Sequence, residues 1–151
     1  LLLSPEIDRL SDSYKGNQMP LYGHKEPLVI QIGPENATTI AVDADRALIP
    51  SSMGPYRVRS VNWTQDAPST SGTVAIRYIT DDSAAGAAAS ATVVEMITAL
   101  GTDGSDDTFR TATLAGVTVP PGARIATKTG GTQTNLVGLI ITIVLDPIDQ
   151  L

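Results

Sequence analysis

The stretch Leu136-Val137-Gly138-Leu139-Ile140-Ile141-Thr142-Ile143-Val144-Leu145 decides the reading of this chain. It is too short to cross a membrane as a helix, which takes about 20 apolar residues. It is rich in β-branched residues, and Gly130-Gly131 lies upstream and Pro147 beyond it, so it reads as a strand. At period two, Val137, Leu139, Ile141, Ile143 and Leu145 fall on one face, and Leu136, Gly138, Ile140, Thr142 and Val144 on the other. A strand of a solvated antiparallel sheet alternates apolar with polar. Here the second face is also largely apolar, and leaving Leu136, Ile140 and Val144 wet forfeits roughly 1.5–3 kcal/mol each. The expectation is that this face is covered by an N-terminal arm, by the segment 84–100, or by another subunit. Leu136, Ile140 and Val144 are therefore the candidate self-association residues.

Working outward, the text before this strand is a series of short runs with turn punctuation. Leu28, Ile30 and Ile32 alternate up to Gly33-Pro34, and Thr38, Ile40 and Val42 alternate up to Asp43. Residues 56–64 form a run between Gly54-Pro55 and Asp66-Ala67-Pro68. Further runs cover 73–80, 108–114 and 123–129, with a hairpin turn expected at Gly130-Gly131. Short strands at such spacing predict an all-β fold, a sandwich or a barrel. The segment 84–100 is two-sided. Its alanines and Gly101 suit a helix with a C-cap, while Thr92, Val93, Val94, Ile97 and Thr98 suit a strand. A short helical turn over 85–91 followed by a strand over 94–100 is the favoured reading, with a full helix as the alternative.

Residues 1–27 differ in texture and are assigned as an extended N-terminal arm, with the sandwich domain over 28–151. Ser4-Pro5-Glu6 suits a helix start, Ser4 capping and Pro5 in the first turn. Leu3, Ile7, Leu10 and Tyr14 then share a face, and with Leu21 and Tyr22 they are the apolar residues offered to a partner. The opening Leu1-Leu2-Leu3-Ser4-Pro5-Glu6 lacks the basic residues and long apolar core of a secretory signal.

Composition narrows the functional classes. The chain has 151 residues and suits a single domain. It has no cysteine, so disulfides, thiolate metal sites and thiol catalysis are out. A net charge of -6 argues against nucleic acid as a partner, because phosphate binding needs clustered Lys and Arg, and no run suits a membrane span. The only histidine, His24, sits in the arm, and no G-x-S-x-G elbow is present to present a serine. Asp81-Asp82 and Asp103, Asp106 and Asp107 lie in loops whose spacing does not match a calcium hand. No cofactor or metal is expected, and the chain reads as a non-enzyme. Arg57, Arg59, Val61 and Trp63 are expected on one face of their strand, a row that suits either an outer face burying Trp63 against a neighbour or recognition of a ligand such as a glycan by stacking and hydrogen bonding.

The C-terminal half carries a resemblance. Gly86-Ala87-Ala88-Ala89-Ser90-Ala91, Ile97-Thr98-Ala99-Leu100-Gly101-Thr102, Thr113-Leu114-Ala115-Gly116-Val117-Thr118-Val119-Pro120-Pro121-Gly122-Ala123-Arg124-Ile125 and Thr132-Gln133-Thr134-Asn135 leading into the final strand resemble tailed-phage virion proteins. That resemblance covers about residues 72–148. It implies a jelly-roll or related sandwich that assembles as a homotrimer on a capsid or tail. The expectation is a capsid decoration or cement protein on the outer capsid surface, with the major capsid protein as its partner. The alternative is a tail or fibre domain binding a host-surface glycan.

Overall fold

A computed structural model describes residues 26–69, 71–100, 110–111 and 116–148. The strands are β1 (Leu28–Glu35), β2 (Ala44–Leu48), β3 (Tyr56–Thr64), β4 (Thr73–Ile79), β5 (Val93–Leu100), β6 (Arg110–Thr111), β7 (Thr118–Val119), β8 (Arg124–Gly130) and β9 (Leu139–Pro147), with one helical turn, α1 (Ala37–Ile40). They form two antiparallel sheets. The first has the order β1-β9-β3, with β6 and β7 both paired to β3; the second has the order β2-β8-β4-β5. The first strand thus pairs with the last, β2 with β8, β3 with β6 and β7, and β4 with β5. This nesting is the connectivity of a jelly roll, a long hairpin wound so that successive pairs cross between the sheets. Of the sandwich and the barrel anticipated from the short apolar runs, the sandwich is the fold of the chain.

The core lies between the sheets. Ile30, Ile32, Tyr56, Val58, Val61, Trp63, Leu139, Ile141, Ile143 and Leu145 of the first sheet meet Val74, Ile76, Met96 and Ile125 of the second. The alternation of β9 holds from Leu139 onward, with Leu139, Ile141, Ile143 and Leu145 all fully buried. One ion pair joins the sheets within this layer. Arg46 of β2 donates from Nη1 to Glu35 of β1 at 2.8 Å and from Nε to Thr127 of β8 at 2.9 Å.

Several local expectations are corrected. Thr38, Ile40 and Val42 do not alternate in a strand. Asn36 sits in extended conformation and the chain turns helically through α1. The Asn36 amide donates to Thr39 Oγ1 at 2.8 Å, and Ile40 is driven fully into the core. The chain becomes a strand only at Ala44. Gly130-Gly131 is not a hairpin turn: β8 belongs to the second sheet and β9 to the first, so residues 131–138 cross the sandwich. Residues 85–91 are not helical. They contain one turn, closed by Ala87 N–H to Ala84 O at 2.9 Å, and the strand half of that reading is β5. The last strand starts at Leu139 rather than Leu136, because Gly138 takes φ +67° and breaks the period-two register ahead of it.

The loops gather at two ends. At one end the connections β1–β2, β3–β4 and β8–β9 are tied together. Ala37 N–H donates to Leu136 O, Asp66 N–H to Val137 O, and Ser71 Oγ to Thr132 O. At the other, Ile49 N–H donates to Ala123 O and Ile148 N–H to Pro55 O. The chain enters β1 at this second end.

Candidate contact face

The two sheets differ in what lies on their outer sides. On the second sheet, the β4–β5 connection, residues 80–92, folds back across the outer face. Ala85 and Ala87 pack on Ile79 of β4, Val93 of β5 and Ala126 of β8, a small apolar cluster separate from the main core. Two arginines hold the connection through its main chain. Arg124 of β8 donates from Nη2 to the carbonyls of Asp81 at 2.7 Å and Ser83 at 2.5 Å, and pairs from Nη1 with Asp45 at 2.6 Å. Arg77 of β4 is fully buried. Its Nη1 donates to the Ala87 carbonyl and, at 3.5 Å, to that of Ala85, while Nη2 pairs with Glu95 of β5. Gly86 lies against Asp43, where any Cβ would come within 2.2 Å of the carboxylate. At the start of the connection, hydrogen bonds from Ser83, side chain first and then backbone, hold the Asp81 carboxyl below the ordinary carboxylate range.

On the first sheet no described residue crosses the outer face. Cross-strand partners there are Val29–Val144–Ser60, Gln31–Thr142–Asn62 and Ile140–Thr64. Val29 is 59% exposed. Ile140 and Val144 are half-buried. The full loss expected for wet side chains therefore overstates what an uncovered face costs. At one corner Arg59 pairs with Asp146 at 2.6 Å, and Arg57, also on β3, is the cross-strand partner of Asp146. Arg59 is more than half exposed, and such pairs are worth about 0–1 kcal/mol.

Of the residues expected at a self-association surface, Ile140 and Val144 lie on this outer face. Leu136 does not. It is 1% exposed and packed in the core, because the turn at Gly138 reverses the side on which it lies. Val137, expected inside, is 46% exposed for the same reason. The arm residues Leu3, Ile7, Leu10, Tyr14, Leu21 and Tyr22, together with His24 and the acidic residues Asp103, Asp106 and Asp107, lie outside the described residues.

The Arg57, Arg59, Val61 and Trp63 row is also corrected. A bulge between Val58 and Ser60 reverses the alternation of β3. Tyr56, Val58, Val61 and Trp63 face the core, and Arg57 and Arg59 face solvent. Trp63 is 8% exposed and unavailable for stacking on a ligand. Among the described residues no three His, Asp or Glu side chains gather in a way that could hold a metal ion. None of the helical residues described is in a helix long and apolar enough to cross a membrane.

Sequence reasoning missed Arg77 and Arg124 as structural residues. The available signal was the placement of Arg77 between Ala75 and Ile79 on one face of a strongly apolar strand, a position where a charge needs built-in acceptors. Comparison of the chain with protein-family models, with curated proteins and with solved structures finds no match.

Proposed function

We propose that the chain is a non-enzymatic structural protein of a virion, a capsid decoration or cement protein that stabilises the head by bridging capsomers. The observation that carries this reading is the asymmetry of the sandwich. One outer face is sealed by the chain's own loop and arginines, and the other, around Val29, Ile140 and Val144, is crossed by none of the described residues. Such an arrangement suits a rigid block with one face for contact. The resemblance of residues 72–148 to tailed-phage virion proteins supports the same reading.

In this account three copies associate as a homotrimer with these second faces contributing to the contact. Residues 1–27, with Leu3, Ile7, Leu10, Tyr14, Leu21 and Tyr22, lie against the major capsid protein on the outer capsid surface. The action is mechanical: bridging adds buried area that internal pressure must break. A stable interface buries about 1,200–2,000 Å² in total, and three arms on one trimer raise the avidity. Neither nucleic acid, membrane nor cofactor has a role in this account. The alternative, glycan binding by a tail or fibre domain, loses its main support with the burial of Trp63. Capsids carrying the protein are expected to release DNA at a higher temperature than capsids stripped of it; identical release temperatures would overturn the proposal.

A further inference from the structure

We propose that residues 80–92 are a latched strap, a unit able to open while the sandwich stays folded, and that Arg77 is the residue that keeps it shut. The inference rests on the way the strap is held. Its acceptors for the two arginines are main-chain carbonyls at every second residue, Asp81, Ser83, Ala85 and Ala87. Both donors come from the sheet beneath, Arg77 from β4 and Arg124 from β8. The apolar contact under the strap is small, three buried residues with two alanines above them, and it is separate from the main core. Opening the strap therefore uncovers Ile79, Val93, Ala126 and the Arg77 guanidinium and leaves the inter-sheet packing intact.

Arg77 is the stronger of the two clasps. It is fully buried, and its guanidinium is held between the strap carbonyls and Glu95. A buried guanidinium without these acceptors is strongly disfavoured, and so are the acceptors without it. Arg124 is a quarter exposed and shares its charge with Asp45, which water competes for. Because carbonyls are the acceptors, the side chains at the exposed strap positions Ala88, Ala89 and Ala91 take no part in the latch. Gly86 is the exception, fixed by its approach to Asp43.

Amide hydrogen exchange on the full chain tests this. In the native protein the amides of Thr80, Ala87 and Val93, bonded to Thr92 O, Ala84 O and Ser90 O, are expected to be protected to within roughly tenfold of those in β8, the behaviour of a packed unit and not a frayed loop. In Arg77→Met the same amides should lose on the order of 100-fold in protection, the size expected for breaking a buried charged contact. Amides of β3 and β9 should keep theirs. Ala89→Glu should leave the strap unchanged. Arg77→Lys should restore only part of the protection, because an ammonium lacks the fork that reaches strap and Glu95 together. If Arg77→Met does not fold, Arg124→Ala and Glu95→Gln give the same reading in milder form, a loss confined to the strap. Strap amides that exchange freely in the native protein, an Arg77→Met variant with native strap protection, or uniform loss across both sheets in the milder variants would overturn the proposal.

Discussion

Replacing Gly138 with alanine tests the feature that sets the phase of the last strand. Gly138 has φ +67°, and a Cβ there would meet Asp66 at 2.2 Å from Oδ2 and 2.6 Å from Cγ. Two costs are separable. Holding a residue with a Cβ in the left-handed region costs roughly 1–2 kcal/mol. Displacing the Asp66 carboxylate adds to it, and because Asp66 is exposed and its carboxylate can swing away, that addition should be smaller, about 0.5–1 kcal/mol. Gly138→Ala is thus expected to lower stability by about 1.5–3 kcal/mol, or roughly 3–12 °C in Tm for a domain of this size. Gly138→Ala combined with Asp66→Ala should recover the steric part and keep the backbone part. Urea unfolding of the four proteins of this cycle, followed by tryptophan emission, gives both numbers. A Gly138→Ala variant as stable as the native chain would mean that the backbone does not turn at this residue. Leu136 would then fall on the outer face together with Ile140 and Val144.

Trp63→Ala should cost about 3–5 kcal/mol, the range for emptying a buried aromatic position, and the native emission of this single tryptophan should be blue-shifted and resistant to acrylamide. Glu35→Ala leaves Arg46 without its carboxylate in a largely buried position and should destabilise by about 2–3 kcal/mol, somewhat below the range for fully buried pairs, measured by urea unfolding. The depressed pKa of Asp81 means that its hydrogen bonds with Ser83 contribute stability above the ordinary carboxylate range. That contribution is lost as pH falls through the lowered folded value, so the Ser83 amide resonance should report a loosening turn below the ordinary carboxylate range, with the core resonances unchanged.

β1, β3, β4, β8 and β9 were legible because each carries its own signal, whereas β2 was expected at 38–42 and lies at Ala44–Leu48. Residues 56–64 stand between Gly54-Pro55 and Pro68, and the observed β3 has those bounds. The inner row of β9 could be read from alternation alone. What was not legible is where the alternation changes phase. The bulge at Arg59 has no distinctive residue, so a strict period of two placed Trp63 beside the arginines. Gly138 did offer a signal, since an isolated glycine in a strand pattern marks a bulge or turn, yet the apolar run on both sides of it hid the break. The covering of the second sheet was also out of reach. It depends on main-chain carbonyls of an alanine-rich loop, and carbonyls leave no mark on a sequence. The outer face of the first sheet was partly legible: Ile140 and Val144 lie on it, while Leu136 belongs to the core.

The claim at the centre of this account is that the chain assembles through the face carrying Ile140 and Val144. Light scattering after size-exclusion chromatography measures it directly, on the native chain and on the Ile140→Asp, Val144→Asp double variant. The account predicts three times the 15.7 kDa chain mass for the native protein and a folded monomer for the variant. A native protein that runs as a monomer at high concentration, or a double variant that remains a trimer, would contradict it.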